Sequence, residues 1–389
     1  MNITIVGGGF GGVKAALELL KDPRNHVTLI TDKPDFQYYP ALFNTATGKS
    51  HAQSWIPLGV IFSGKKNIDV VIDNIASINK PKQTLTGQTG KVYTYKTLIL
   101  ALGSVTTYFG IEGLDQYAYG IKSYEEIREL KDHIHQELMS KDDQEKHYVI
   151  IGAGPTGVEL SASLRDYIET LRQHYKSVGK YSIDVIEAVP RVLPKMSESV
   201  SKKVAKHMKE AGINVMTGKA VEKQKPGVLK VAGESIKTST VIWTSGVVNN
   251  PFFKANSEAF SFSSNNHIVV NDHLKSSAHI YVIGDNAFTK FAGLAQTALR
   301  DAVFVAENIK RTQDKLPLKK YKAVMPPVVV PVGKGWAVFS WKKIVITGWP
   351  ASVIRQVADF VGYHDILPFH KALSIWLSLE SAEADYFAD

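Results

Sequence analysis

MNITIVGGGFGGVKAALELL (residues 1–20) determines the fold, because it reads as a buried strand, a glycine-rich turn and a helix. Asn2–Val6 is rich in β-branched residues, and the glycines that follow have the G-x-G-x-x-G spacing. The first glycine of such a turn permits the bend, the second lets a pyrophosphate approach the backbone, and the third lets helix and strand pack closely. The helix N-terminus then faces the anion. The residues expected to bind a dinucleotide here are Gly7, Gly9, Phe10, Gly11 and Gly12.

A second strand and an acidic residue extend this unit. The run His26–Ile30 has strand composition, and Asp32 follows it about 20 residues after the last glycine. An acid at that distance accepts hydrogen bonds from the ribose hydroxyls of a dinucleotide. Asp32 is therefore the predicted ribose ligand, with Thr31 as a competing hydrogen-bond partner.

The same pattern returns in HYVIIGAGPTGVELSASL (residues 147–164). Its turn glycines are Gly152, Gly154 and Gly157. After a long helical stretch, a second strand ends at Glu187. A carboxylate there accepts both ribose hydroxyls of NADH and repels the 2′-phosphate of NADPH, so Glu187 predicts a preference for NADH, which the nearby Arg191 weakens.

Two dinucleotide-binding units in one chain indicate that electrons pass between two dinucleotides, most commonly FAD in the first unit and a nicotinamide nucleotide in the second. Three further strands end in small or acidic residues, and the turn after each strand can approach a nucleotide. They lie in TLILALGS (97–104), STVIWTSGV (239–247) and HIYVIGDN (279–286). The residues predicted to reach the nucleotides from these strands are Ala101, Gly103, Gly246, Gly284 and Asp285. Asp285 is expected to accept a hydrogen bond from a ribityl hydroxyl of the flavin.

Composition excludes several classes of protein. The 389 residues include no cysteine, which excludes disulfides, thiolate metal sites, iron–sulfur clusters and thiol redox relays. The formal charge of +9 favours anionic surroundings, but the basic residues are scattered, and no aromatic–basic ladder for nucleic acid is present. No apolar stretch is long enough to span a bilayer, and the start lacks the basic region of a signal peptide.

The chain resembles the two-dinucleotide-binding-domain flavoproteins, and among them the type II NADH dehydrogenases, single-subunit NADH:quinone oxidoreductases of the membrane surface. The resemblance rests on IVGGGFGGV, YYPALFNTATG, LILALGS, VIIGAGPTGVEL, VIEAVPRVLP, VIWTSGV, YVIGDNA and LAQTAL, within residues 1 to about 310. It implies an α/β fold with two Rossmann-like dinucleotide-binding domains, for FAD and NADH, plus a small C-terminal module. It also implies peripheral attachment to the inner, cytoplasmic face of the cell membrane.

The resemblance further implies two catalytic residues. Glu159 would lie near the nicotinamide and flavin rings; as an alternative, it would only complement the dipole in the first turn of its helix. Ala295 and Gln296 match a motif near the quinone ring. Where a second glutamine is expected, this chain has Arg300 and Asp301. Three interpretations are open. The two charged side chains could deliver protons to the quinone, they could mean that the acceptor is more polar than a quinone, or they could form an ion pair in solvent on one helix.

Motif order predicts a discontinuous FAD-binding domain, residues 1–112 and 265–325, interrupted by an NADH-binding domain, residues 113–264. Residues 326–389 then form a C-terminal module for membrane association or dimerisation. Its tryptophans and cations suit a bilayer interface. They are Trp336, Trp341, Trp349 and Trp376, beside Lys342, Lys343, Arg355 and Lys371. The alternative is a hairpin with helices packed on the flavin domain or on the partner of a homodimer.

The sequence thus predicts an enzyme that passes hydride from NADH to FAD and then reduces a quinone, with no metal site. Because disulfide reductases and sulfide:quinone reductases need reactive thiols, the lack of cysteine excludes both activities. Two alternatives stay open. One is an NADH-dependent reductase of a soluble electron carrier, and the other is a non-enzymatic flavoprotein that senses NADH.

Overall fold

The computed structural model describes residues 1–140, 145–174 and 179–378. Within them the chain forms 23 β-strands and 11 α-helices, with four short 3-10 turns. The strands are β1 Asn2–Val6, β2 His26–Thr31, β3 Asp35–Gln37, β4 Trp55–Pro57, β5 Ile68–Ile72, β6 Ile75–Asn79, β7 Thr84–Gly87, β8 Val92–Thr94, β9 Thr97–Leu100, β10 Ser104–Thr106, β11 Lys146–Ile151, β12 Tyr181–Glu187, β13 Ile213–Thr217, β14 Val221–Lys225, β15 Val228–Val231, β16 Glu234–Lys237, β17 Thr240–Trp243, β18 Val247–Asn249, β19 Lys275–Ser277, β20 Ile280–Val282, β21 Val328–Pro331, β22 Ala337–Trp341 and β23 Ile344–Gly348.

The helices are α1 Phe10–Leu19, α2 Leu42–Ala46, α3 Leu58–Ile61, α4 Leu114–Tyr117, α5 Tyr124–Met139, α6 Pro155–His174, α7 Glu198–Glu210, α8 Pro251–Ala255, α9 Ala295–Gln313, α10 Trp349–His364 and α11 Phe369–Leu377. Within the described residues, no helix combines the length and apolar character needed to cross a membrane.

The first sheet has the order β19-β20-β9-β1-β2-β5, and all its neighbours are parallel except β19 and β20. Every residue of β9 is buried, as expected for a central strand covered on both faces. Helices α1 and α9 pack on one face of this sheet and on each other. Since the sheet joins strands from the start of the chain to strands near residue 280, the first nucleotide-binding unit is built from two separate stretches of sequence.

The second sheet has the order β13-β12-β11-β17 and is parallel throughout. It lies between the two stretches of the first unit in the sequence. The predicted α/β class with two Rossmann-like units is therefore confirmed. The domain boundaries given above stay a prediction.

The described residues after 326 pack into two different cores. Val330, Val332 and Val338 belong to the buried cluster of the second unit, whereas Tyr363 and Ile366 belong to that of the first. Strands β21, β22 and β23 form an antiparallel sheet, and α10 packs against it. The described part of the C-terminal region therefore bridges both nucleotide-binding units.

Candidate functional site

The first glycine turn lies where the carboxyl ends of β1, β9 and β20 meet. Gly7 has a φ of +113°, and a Cβ there would stand 2.2 Å from the carbonyl oxygen of Ala101. A Cβ on Gly12 would stand 1.9 Å from the carbonyl oxygen of Gly7. Gly11 faces Ile283, the residue before Gly284. The parallel sheet therefore brings the predicted turn residues together with those that follow β9 and β20.

Gly9 differs from its neighbours because a Cβ there would meet nothing within 4 Å. It is the N-cap of α1, with no side-chain hydrogen bond at the cap and no acid in the first turn. The N–H groups of this helix end can therefore receive an anion such as pyrophosphate. The ring of Phe10 packs edge-on against Phe36 at 4.9 Å, so Phe10 can offer only its backbone N–H.

Asp32 and Thr31 lie at the end of β2 in different environments. Asp32 is exposed, whereas Thr31 is buried with its hydroxyl against Gly8. The exposed carboxylate is free to accept ribose hydroxyls. The geometry thus favours Asp32 over Thr31 as the ribose ligand, although that role stays a prediction.

The Gly284–Asp285 turn is held by the side chains of Ser104 and Asn286. Ser104 donates a hydrogen bond to Asp285 at 2.9 Å. Asn286, fully buried, accepts from the N–H of Gly103 at 2.9 Å and donates to its carbonyl oxygen at 2.7 Å. Asn286 was missed by the sequence analysis, although its place directly after Gly-Asp was a usable signal. It fixes the turn after β20 to the turn after β9.

Asp301 is also part of this arrangement, and the expectation of a solvated pair with Arg300 was wrong. Asp301 is fully buried on α9; its carboxylate accepts the N–H of Gly284 at 3.0 Å and the hydroxyl of Tyr321 at 2.6 Å. Arg300 is exposed and donates to the carbonyl oxygen of Val324. Burial raises the pKa of Asp301 to about 6, against the effect of its two hydrogen bonds.

An Asp301→Asn variant tests this buried acid through the pH dependence of stability. Because its folded pKa of about 6 lies above the ordinary 3.8, the contribution of Asp301 is fully present below about pH 4 and is lost as pH rises through about 6. Relative to wild type, the variant should gain up to about 3 kcal/mol in free energy of unfolding between pH 4 and pH 8. Urea unfolding of flavin-free protein measures this, with Asp272→Asn as an exposed control. If the difference in free energy of unfolding between Asp301→Asn and wild type is the same at every pH, the prediction is wrong.

The second turn repeats the geometry of the first. Gly152 has a φ of +106°, and a Cβ on Gly157 would stand 1.8 Å from the carbonyl oxygen of Gly152. A Cβ on Gly154 would meet nothing within 4 Å. Glu187, at the end of β12, accepts the N–H of Ala153 at 2.8 Å and so lies directly beside the turn.

Gly246 follows β17 at the same edge of the second sheet. Its φ is +71°, and its carbonyl oxygen accepts the N–H of Thr107 at 3.2 Å. Gly246 thus lies where the second unit contacts the residues that directly follow β10.

Glu159 contacts a cation rather than its own helix end. The helix begins at Pro155 and has no acid in its first turn, so the expectation that Glu159 lies there was wrong. Its carboxylate lies 3.4 Å from Nη1 of Arg355, whose Nε lies 2.9 Å from Asp359. Burial raises the pKa of Glu159 to about 8, and Arg355 only partly opposes this effect. A largely protonated acid at neutral pH can give up a proton in a reaction.

Arg355 also donates to the carbonyl oxygen of Pro40 at 2.7 Å and lies over the ring of Phe43. It therefore connects YYPALFNTATG (residues 38–48) of the first unit to α6 of the second. Thr47 and Ser163 add a 2.7 Å hydrogen bond between the same two segments. The prediction that Arg355 lies on an interfacial surface is wrong, because only 12% of its side chain is exposed.

Two of the four predicted interfacial tryptophans also face inwards. Trp336 stacks on His207 with ring centroids 4.2 Å apart, and Trp376 packs against the first core and donates to the carbonyl oxygen of Gln356. Trp341 and Trp349 are exposed.

The remaining predicted residues lie at the start of α9. Ala295 is half-buried and Gln296 is exposed, both in a first turn that has neither an acid nor a side-chain cap. Gly284, in the turn after β20, lies against Ala298 of this helix. The N–H groups of α9 can therefore face a flavin held by the first turn. Among the residues that the model describes, no group of three or more histidine or acidic side chains could hold a metal ion.

The model of the pyridine nucleotide-disulphide oxidoreductase family matches residues 1–302. A type II NADH:quinone oxidoreductase of Mycobacterium tuberculosis, NdhA, is 25% identical over 401 residues, covering 93% of this chain and 84% of the relative. The type II NADH:quinone oxidoreductase of Staphylococcus aureus is 26% identical over 382 residues, covering 92% and 94%.

Two solved structures share the fold. NDH2 from Plasmodium falciparum, in complex with NADH, superimposes with a TM-score of 0.87 at 17% identity, covering 97% of both chains. The sulfide:quinone oxidoreductase of Aquifex aeolicus superimposes with a TM-score of 0.78 at 19% identity, covering 92% of this chain and 89% of that one.

Proposed function

Since the chain belongs to the pyridine nucleotide-disulphide oxidoreductase family, we propose that it is an FAD-dependent NADH:quinone oxidoreductase that pumps no protons. A flavin held by the first unit would accept hydride from NADH and would pass two electrons to a quinone. The observation that carries this proposal is the pair of glycine turns, each with an open second glycine, in a chain without cysteine. The relatives named type II NADH:quinone oxidoreductase support it over nearly their whole length.

The residues of the first unit fit FAD. The open backbone at Gly9 and the bare N-terminus of α1 suit the pyrophosphate, and the exposed Asp32 suits the adenosine ribose. Asp285 suits a ribityl hydroxyl, and the N-terminus of α9 suits the ring end. Bound flavin would supply the hydride-accepting chemistry, and these residues bind and orient it.

The second unit fits NADH by the same reasoning, with Gly154 at the pyrophosphate and Glu187 at the ribose. The contact between α6 and residues 38–48 places Glu159 where the two units meet. Reduction of a quinone by NADH consumes one further proton, since NADH and quinone with H⁺ give NAD⁺ and quinol. Glu159 is the group proposed to hold that proton, at the contact between the two units.

The acceptor distinguishes this function from its alternatives. Purified protein should oxidise NADH rapidly with a short-chain quinone, more slowly with ferricyanide and least with no acceptor. Turnover with a soluble iron–sulfur or flavin carrier but not with quinone would favour the soluble-carrier reductase. A long-lived reduced flavin without turnover would favour the NADH sensor.

Glu187 makes the choice of nucleotide testable. We expect wild type to prefer NADH, because the carboxylate would face the 2′-phosphate of NADPH as a like charge. Glu187→Gln removes that charge and should lower the NADH/NADPH ratio of kcat/KM by about tenfold, which corresponds to the relief of about 1.4 kcal/mol of repulsion. Glu198→Gln, an exposed acid of the same unit, is the control. Equal use of both nucleotides by wild type would show that Glu187 has no such role.

We further propose that the protein lies on a membrane surface, on the cytoplasmic side, through a C-terminal apolar face. This face consists of Trp349, Val353, Val357, Val361, Phe369 and Leu377, all exposed. Four of them recur every fourth residue along α10, so they form one stripe opposite the buried Ala351 and Tyr363. The exposed Lys342 and Lys343 lie in the adjoining hairpin and suit anionic headgroups.

Removal of the C-terminal region cannot test this face, because Val338 and Tyr363 belong to the two cores. The double substitution Val357→Asp and Val361→Asp changes only exposed positions. It should weaken co-sedimentation with anionic liposomes at low salt at least about tenfold, by removing apolar burial and adding repelled charge.

Val92→Asp, at a similarly exposed valine of β8, is the matched control and should bind liposomes like wild type. If the double variant also binds like wild type, the apolar face does not contact lipid. A loss of dimer in the double variant, with unchanged lipid binding, would instead assign this face to a homodimer.

A further inference from the structure

The cluster of Glu159, Arg355 and Asp359 contains two carboxyl groups and one cation in a nearly closed environment. The exposed fractions of the three side chains are 12%, 12% and 14%. In the described part of the chain, no other cation forms an ion pair with either carboxylate. With both acids ionised, the cluster would carry a net negative charge out of water, which is costly.

The other groups that face the cluster do not relieve this charge. Tyr38 and Tyr363, stacked at 4.2 Å, are buried neutral hydroxyls, and burial raises the pKa of each. Asp365, six residues after Asp359 and just past the end of α10, is already paired with Lys14. This charge is relieved when one of the two carboxyls keeps a proton, and the two acids then titrate as a coupled pair.

Geometry decides which carboxyl keeps it. Asp359 lies 2.9 Å from Nε of Arg355, a charge-assisted hydrogen bond, whereas Glu159 lies 3.4 Å from Nη1, near the limit of such a bond. Arg355 is held in this orientation by the carbonyl oxygen of Pro40, at 2.7 Å from Nη2. The cation therefore compensates Asp359 better than Glu159.

We propose that Asp359 is a positioning residue for the proton of Glu159: by taking the closer hydrogen bond of Arg355, it leaves Glu159 as the carboxyl that is protonated at neutral pH. This inference rests on the proposed function for its use, since the proton of Glu159 serves quinone reduction. Because burial raises the pKa of both Glu159 and Asp359, the selection of Glu159 rests on the two distances to Arg355. Asp359 lies 200 residues after Glu159, so a side chain of α10 would set the protonation of an acid of the second unit.

The test is to titrate the carboxyl of Glu159 in the flavin-loaded protein by infrared difference spectroscopy, with its band identified by its loss in Glu159→Gln. In wild type the midpoint should lie near 8. In Asp359→Asn, which keeps a hydrogen-bond acceptor for Arg355 but no charge, the cation is left to Glu159 alone. The midpoint should then fall by about 1 to 3 pH units.

Asp359→Ser is a second neutral variant, for use if Asp359→Asn does not fold. Asp359→Glu keeps the negative charge, so its midpoint should stay near that of wild type. Asp166→Asn is the matched control, because it removes an acid of the same helix as Glu159 that pairs with Arg165. A wild-type midpoint in both neutral variants, or an equal fall in Asp166→Asn, would overturn the proposal.

Kinetics add a second readout. If the midpoint falls to about 6, the protonated fraction of Glu159 at pH 7 drops about tenfold, and quinone reduction at pH 7 should drop with it and recover at pH 5. A purely structural role would lower the rate equally at every pH. If the midpoint shifts but wild type does not reduce quinone, the charge arrangement stands and the proposed function fails.

Discussion

A Gly154→Val variant is expected to purify with its flavin and wild-type melting temperature, and to lose NADH oxidation by at least about 100-fold, or roughly 2.7 kcal/mol. Nothing lies within 4 Å of a Cβ at this position, and its φ is outside the left-handed region, so valine does not strain the fold. Its side chain would occupy the space through which a pyrophosphate approaches the backbone. Stopped-flow reduction of the flavin by NADH measures the loss.

Gly9→Val is the matched variant in the first turn, where the space is equally open. It should fold and lose the flavin. Gly157→Val is a different case, because its Cβ would stand 1.8 Å from the carbonyl oxygen of Gly152 and would disrupt the turn itself. If Gly154→Val lost flavin while Gly9→Val kept it, the two nucleotides would be assigned to the wrong units.

An Arg355→Leu variant should lose about 3 to 5 kcal/mol in free energy of unfolding. The substitution leaves Glu159, Asp359 and the carbonyl oxygen of Pro40 without their cation in a nearly closed environment. It also removes the link between residues 38–48, α6 and α10. Urea unfolding followed by tryptophan fluorescence measures the change.

Arg172→Leu is the control, because Arg172 pairs with Glu169 on α6 with both side chains more than 40% exposed. Exposed pairs contribute little, so its cost should stay within about 1 kcal/mol. Equal costs for the two variants would mean that the buried cluster does not stabilise the fold.

The two glycine turns could be predicted because their signal is local. Each requires three glycines within six residues, after a β-branched strand and before a helix, and both form as expected. Parallel pairing then brings the ends of β1, β9 and β20 to one edge, which is why Ala101, Gly103 and Asp285 could also be placed near the first turn.

The roles of Asp301 and Arg355 could not be predicted from local sequence. Asp301 is satisfied by Gly284 and Tyr321, 17 and 20 residues away, and Arg355 reaches Glu159 across 196 residues. A charged residue on an amphipathic helix reads as solvated unless its face is known. The four-residue spacing of the valines in α10 could have shown which face is buried. It puts Arg355 and Asp359 on the face opposite the valines, with Ala351 and Tyr363.

The central claim, that electrons pass from NADH through flavin to a quinone, is tested most directly by following the flavin absorbance in anaerobic stopped flow. Addition of NADH should bleach the flavin, and subsequent mixing with a short-chain quinone should restore it at a rate at least equal to steady-state turnover. Reoxidation by quinone that is slower than turnover with another acceptor, or a reduced flavin that persists in excess quinone, would contradict the account.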